Sequence, residues 1–132
     1  MAYEYQMLLF MTLFFVFAWF PASVAKGNTF GTKWLASNRE PLIGKSLPEW
    51  GHRAERAYAN LKDYFPAFVV AVILLGIHGK FDSTTKWATT FYLIGRILHM
   101  IFYVAGNFPG RFFSYILSFT ANLYLLIKLF FI

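Results

Sequence analysis

The sequence predicts an all-α membrane protein, a bundle of four transmembrane helices. Three observations point there. Of 132 residues, 58% are hydrophobic and 22% aromatic, and only 14% are charged, well away from the roughly 45–50% apolar and 25% charged of a soluble domain. Apolar blocks recur along the chain at lengths near the ~20 helical residues a bilayer core requires. Four such helices use roughly 80 residues and leave room for short loops plus one longer connection, whereas five leave almost no loop. By length this is one domain, residues 1–132.

The first helix is expected over residues 5–25, through MLLFMTLFFVFAWF. Ser23-Val24-Ala25 resembles a cleavage site, but the segment before the apolar run carries Glu4 and no Lys or Arg. The basic region of a signal peptide is missing, so a retained helix is expected, ending near Pro21 to Lys26. Residues 27–46 bear Gly, Asn, Ser and Pro with Lys33, Arg39 and Lys45, and are expected as the longest loop. Its Phe30, Trp34, Leu35, Leu42 and Ile43 suit the membrane surface. Ser46-Leu47-Pro48-Glu49 has the S-x-x-E spacing of a capping box, predicting a second helix over 47–77. That helix is polar in its first half (EWGHRAERAYANLKD) and apolar in its second, with Pro66 expected to kink it. HGKFDSTTK is a polar connection to a third helix over 85–105. Gly106-Asn107-Phe108-Pro109-Gly110 reads as a turn, followed by a fourth helix over 111–132. Lys128 is expected to snorkel as an anchor.

Charge gives the orientation. Lys and Arg total 12 against 6 Asp and Glu. In a soluble protein this excess would suggest nucleic acid; here most bases fall in loops. Lys26, Lys33, Arg39, Lys45 and Arg111 lie on one side, Lys80 and Lys86 on the other, so the positive-inside bias predicts a cytoplasmic 26–46 loop with both termini outside. There is no cysteine, which excludes disulfides, thiolate metal sites and a cysteine nucleophile. No metal site is expected.

The remaining polar residues fall on helical faces. On the second helix Glu49, Arg53, Arg56, Asn60 and Asp63 are spaced by 4, 3, 4 and 3, a stripe about 80° wide at roughly 100° per residue. On the third, Tyr92, Arg96, His99 and Tyr103 form a second stripe. Antiparallel geometry puts the polar half of the second helix, the last half of the third and Arg111 at one level near the cytoplasmic face. An ionisable group within a span costs roughly 2.5–3.5 kcal/mol, so each needs a reason. Ordinary reasons exist for several: Glu49–Arg53 as an i,i+4 pair, Arg56 pairing with Asp63 or Glu49, and Asn60 and His99 as interhelical hydrogen-bonders. Arg96 lies too deep to snorkel. The excess of guanidinium groups predicts a cavity for a small carboxylate- or phosphate-bearing molecule.

The segment Arg53-x-x-Arg56-Ala57-x-x-Asn60-x-x-Asp63-Tyr64-Phe65-Pro66 resembles the second-helix signature of the membrane-associated proteins in eicosanoid and glutathione metabolism. Gly95-Arg96-x-x-His99-x-x-x-Tyr103 resembles their third-helix signature. The match spans roughly residues 47–115, and the four-span layout extends it to the whole chain, closest in kind to short bacterial members related to microsomal glutathione transferases. The resemblance implies a left-handed four-helix bundle assembled as a homotrimer in a bacterial inner membrane, with glutathione as co-substrate between subunits. It implies that Arg53, Arg56, Asn60, Asp63, Arg96, His99 and Tyr103 line the glutathione pocket. It further implies that Arg111 stabilises the glutathione thiolate with Tyr103 assisting, and that a lipophilic electrophile or hydroperoxide arrives from the bilayer. Two departures stand out: Asp63 replaces the family's usual Glu, and only Lys26 is available as the basic residue closing the first helix. A non-catalytic glutathione- or lipid-binding scaffold is the alternative, and a small exporter coupled through Asp63 a third reading.

Overall fold

The computed structural model describes residues 1–132 and is all-helical. Its elements are α1 (Tyr3–Phe17), α2 (Phe20–Phe30), α3 (Thr32–Leu35), α4 (Glu49–Ile77), α5 (Ser83–Ala105) and α6 (Phe108–Leu129). Four stretches are long and apolar enough to cross a bilayer: Tyr3–Phe30, Glu49–Ile77, Ser83–Ala105 and Phe108–Leu129. The protein is a four-helix membrane bundle.

Helix ends follow local chemistry, and several differ from the sequence expectation. Pro21 lacks an N–H and its ring clashes with the carbonyl four residues earlier. That carbonyl belongs to Phe17, where α1 stops. Proline is nonetheless well suited to a first turn, so the chain restarts as α2 at Phe20 and runs on to Phe30, beyond the expected end at Pro21 to Lys26. The predicted 27–46 loop therefore begins as helix, and the irregular part follows α3. Trp34 stacks near Phe30 (4.6 Å between ring centroids) and its indole N–H donates to the Glu40 carbonyl, while Ile43 is fully exposed.

The capping box expected at Ser46 does not form. Pro48 itself occupies the N-cap position of α4 in extended backbone (ψ 162°), without any side-chain cap. The helix thus starts at Glu49, since proline has no N–H to enter the first turn and tolerates this boundary. A true capping box stands instead at Asp82: its carboxylate accepts from the Thr84 and Thr85 amides while the Thr85 hydroxyl accepts from the Asp82 N–H, moving the start of α5 to Ser83. The predicted five-residue turn at 106–110 shrinks to Gly106 and Asn107. Asn107 caps α6 by accepting from the Gly110 amide at 3.0 Å, and Pro109 lies in the first turn of that helix. Phe108 to Gly110 are helical for the same reason as Pro21.

The core is built from α4, whose Ala57, Leu61, Phe68, Ala71, Val72 and Leu75 are essentially inaccessible. Tyr92 of α5 lies flat on Phe68, 3.9 Å between ring centroids. The α5–α6 hairpin packs closest. A Cβ on Gly95 would stand 2.9 Å from the Ser118 amide nitrogen and 3.0 Å from the Ser114 carbonyl, so glycine and serine let the two backbones approach in the small-residue manner of membrane helices.

Side-chain hydrogen bonds between helices gather at the end of the bundle where α5 begins and α6 ends. Glu4, buried on α1, accepts from the Thr85 hydroxyl. Tyr3 and Thr90 share a hydrogen bond of 2.6 Å, and the Tyr124 hydroxyl donates to Thr84 at 2.6 Å. Lys128 forms an ion pair with Asp82, rather than snorkelling as an isolated anchor; the carboxylate capping α5 stands opposite the last turn of α6. Hydrogen bonds from Lys128, then from Thr84 and the Thr85 amide, hold the Asp82 carboxyl below its ordinary range.

Candidate functional site: an arginine cleft at the α5–α6 turn

The opposite end of the bundle holds the predicted arginines. Ala54 and Ala57 of α4 are buried against the bundle, which sets Arg53 and Arg56 on its flank. Arg53 Nε donates to the Val104 carbonyl at 3.1 Å, one of the carbonyls a helix end leaves without an intrahelical partner. α5 then terminates on Gly106 in left-handed backbone, φ 79°. The left-handed backbone favours glycine, and a Cβ there would stand 3.2 Å from the Arg53 guanidinium carbon, pressing on the arginine stacked against it. The two-residue turn places Arg111 in the first turns of α6.

Tyr103 organises the cations. The Arg111 guanidinium sits over its ring at 4.8 Å and that of Arg56 at 5.9 Å from the centroid, both within cation–π range. Arg111 also stands 5.2 Å from the Phe108 ring. Arg53, Arg56, Tyr103, Asn107 and Arg111 line a cleft of about 320 Å³ with Phe102 and Phe108 as its apolar wall. An adjoining hollow of about 250 Å³ reuses Arg53 and Arg56 beside Glu49 and His52.

Acidic residues do not neutralise this cluster. Glu49 is 98% exposed and 3.9 Å from Arg53, the expected i,i+4 pair at the outer limit of contact. Glu55 is drawn to Lys26, at 3.7 Å. Arg56 and Arg111 form no ion pair, so the expected pairing of Arg56 with Asp63 or Glu49 is absent. Asp63 is exposed on α4 and lines neither hollow. Its i+7 spacing from Arg56 puts it two turns away from the mouth.

Deeper in the bundle, Arg96 donates to the Asn60 side-chain carbonyl at 2.8 Å, joining the two polar stripes as a charge-assisted bond. Arg96 is 2% exposed and His99 1%. His99 lies edge-on to Tyr103, with ring centroids 5.4 Å apart, so it backs the aromatic ring on which the cleft arginines rest. The structure therefore brings Arg53, Arg56, Tyr103 and Arg111 into one cleft, with His99 directly beneath. Arg96 and Asn60 form a bonded pair farther in, and Asp63 stands apart.

Two features escaped the sequence reading. The Tyr115 hydroxyl donates to that of Tyr64 at 2.9 Å, bridging α4 and α6. A separate cavity of about 210 Å³ lies between α4, α5 and α6. Its signal was present as Ser114, Ser118 and Asn122, a small and polar i,i+4 row on α6 like the rows on α4 and α5.

Chemically, an arginine cluster in an acid-poor cleft binds carboxylates, and a guanidinium beside a thiol favours its ionised, nucleophilic form. Compared with known proteins, residues 5–131 match the family model described as MAPEG family. No curated protein matches the chain, and no solved structure does.

Proposed function

The chain belongs to the MAPEG family, and from that premise we propose that it is a membrane-bound glutathione-dependent transferase or peroxidase acting on lipophilic electrophiles or hydroperoxides. The observation that carries this reading is the acid-poor cleft in which Arg53, Arg56 and Arg111 meet around Tyr103. Glutathione carries two carboxylates and a thiol. Arg56 and Arg111, which have no carboxylate partner in the chain, suit the acceptor-only geometry of such groups. His99 backs Tyr103, Asn60 and Arg96 pair deeper in the bundle, and Asp63 stands outside the cleft of its own chain.

In this reading glutathione supplies the nucleophile, its thiolate forming a bond to carbon while the leaving group departs with its electron pair. Arg111 holds the sulfur as thiolate by placing a permanent positive charge beside it. Tyr103 fixes Arg111 through its ring face and offers a hydroxyl to the developing charge. Phe102 and Phe108 give the cleft an apolar wall beside the cations.

A homotrimer and a cytoplasmic cleft belong to the same proposal. Lys62 and Asp63 are exposed on a helix that crosses the bilayer; a neighbouring subunit covering them removes the cost of turning charge toward lipid. Lys26, Lys33, Arg39, Lys45 and Arg111 lie at the cleft end, which the positive-inside bias assigns to the cytoplasm.

Calorimetric titration of glutathione into the purified protein tests the binding, and turnover of a chlorodinitrobenzene-type electrophile tests the chemistry. Heat of binding with wild type and loss of turnover in Arg111→Ala, the oligomer remaining intact, are expected. Unchanged turnover in that variant removes Arg111 from its role, and absence of heat overturns the reading of the cleft. A non-catalytic scaffold, favoured by the position of Asp63 away from the cleft, predicts binding without turnover.

A further inference from the structure

Among the lysines and arginines of the chain Arg96 alone is buried, at 2% exposure. A guanidinium keeps its charge in proteins, and a charge taken out of water costs heavily unless a counter-charge stands beside it. The acidic residues offer none. Glu55, Glu49 and Asp82 pair with Lys26, Arg53 and Lys128, Glu4 is bound to Thr85, and Glu40 and Asp63 are exposed. The side-chain partner of Arg96 is the neutral amide of Asn60.

Arg96 also lines the lateral cavity of about 210 Å³ between α4, α5 and α6, together with Tyr64, Tyr92, Tyr115 and Asn122 and without any carboxylate. Arg96 Nε, the Tyr92 hydroxyl and Asn122 Oδ1 are buried and have no hydrogen-bond partner within the chain, and their residues are 2%, 2% and 8% exposed. Buried polar atoms of native proteins are almost always satisfied, so three around one cavity point to an occupant. Arg96 and Tyr92 stand four residues apart on α5 and share a face. The Tyr64 hydroxyl accepts from Tyr115 at 2.9 Å, which leaves its own proton to give. The lining thus combines one fixed positive charge with phenol donors.

We propose that the lateral cavity binds a small monovalent anion, of the halide class, as the counter-ion of Arg96. The anion accepts from Arg96 Nε and the Tyr92 hydroxyl, with the Tyr64 proton turned toward it. A water beside it donates one proton to the anion and the other to Asn122 Oδ1, which satisfies every unpaired atom of the lining. Water alone would meet the hydrogen bonds and leave the charge uncompensated. A divalent phosphate or sulfate would exceed the single guanidinium and require more donors than the cavity holds. The volume admits both occupants, since a water takes about 30 Å³ in the liquid. Ions reach the cavity from the polar half of the bundle. Tyr115 lies one turn deeper than Arg111 on α6, and Tyr64 adjoins the exposed Lys62 and Asp63 on α4, whereas Phe119 and Leu123 wall the side toward lipid. The site is independent of what the arginine cleft binds.

Thermal unfolding of the purified full chain without glutathione, in sodium chloride against sodium gluconate at equal ionic strength, tests it. The midpoint should be higher in chloride and rise with the logarithm of its concentration, as for a ligand bound only by the folded state. Arg96→Met should abolish that dependence. Tyr92→Phe, which keeps the ring against Phe68, should raise the chloride concentration needed about tenfold, the worth of one hydrogen bond to a charged group; it serves if Arg96→Met does not fold. Arg111→Ala should retain the dependence, because that arginine lies in the cleft. Crystals of the wild type soaked in bromide should show its anomalous signal beside Arg96 and Tyr92. Equal midpoints in the two salts overturn the proposal, as does a chloride effect lost in Arg111→Ala and kept in Arg96→Met, which would put the anion in the cleft. A bromide signal absent from the cavity overturns it too, since water then fills the space.

Discussion

The bond between Arg96 and Asn60 ties the two polar stripes together, and its strength follows from the geometry. Arg96 is 2% exposed and donates to Asn60 at 2.8 Å, while its Nε has no partner in the chain. A hydrogen bond to a charged group contributes roughly 1.5–3 kcal/mol in soluble proteins. Within membranes, measured pair couplings average only about 0.6 kcal/mol and reach about 1.7, because the dispersed helices find other partners. A charge-assisted bond is about twice as strong as a neutral one, so a coupling of about 1–1.5 kcal/mol is expected here. Asn60→Leu leaves a buried guanidinium short of its acceptor and should destabilise by about 2–3 kcal/mol. Arg96→Met removes the charge, leaves only an amide unpaired, and should be milder, about 1–2 kcal/mol. The double variant should then be less destabilised than the sum. Unfolding in mixed micelles with increasing dodecyl sulfate, followed by circular dichroism, gives all four free energies. Additivity within about 0.3–0.5 kcal/mol would refute the argument that the two residues act as one unit.

Three further outcomes follow from the same structure. Gly106→Ala places a side chain at φ 79° and should lower stability by about 1 kcal/mol; its Cβ also crowds Arg53, so glutathione affinity should fall severalfold in the same titration. Arg56→Lys keeps the charge but loses the planar fork, and should weaken glutathione binding about tenfold with the circular dichroism spectrum unchanged. Asp82 is held below its ordinary value of 3.8 by Lys128, Thr84 and Thr85, so the stability it contributes is complete above that pH and is lost as pH falls through its folded value. Asp82→Asn should therefore lower the melting temperature by a constant amount near neutrality, and that gap should close as the pH drops below 3.8.

The spans were legible because a bilayer reads composition, and composition is local. The helix ends were legible only where one residue decides them. Asp82 with Thr85 and Asn107 with Gly110 are caps the sequence contains, yet Ser46 with Glu49 offers the same letters and forms none, because Pro48 between them takes the cap position with its own extended backbone. Pro21 marked a stop and also a restart, and periodicity does not distinguish the two. The arginine cleft was largely visible from spacing, since Arg53, Arg56, Tyr103 and Arg111 share faces and depth. Asp63 shares the stripe but not the cleft: a stripe 80° wide still spreads over four turns, and only the first ones reach the mouth. The lateral cavity needed three helices to be docked before Tyr92, Arg96 and Asn122 appeared around one void.

The placement of the fastenings has a mechanical consequence. Glu4–Thr85, Tyr3–Thr90, Tyr124–Thr84 and Lys128–Asp82 bind α1, α5 and α6 together at one end. At the other end Arg53 reaches a single backbone carbonyl and Lys26 a half-exposed Glu55. The side-chain bonds between helices are thus concentrated at one face of the membrane, which fixes the register of α1, α5 and α6, while the arginines stand at the face where fewer side chains tie the helices together.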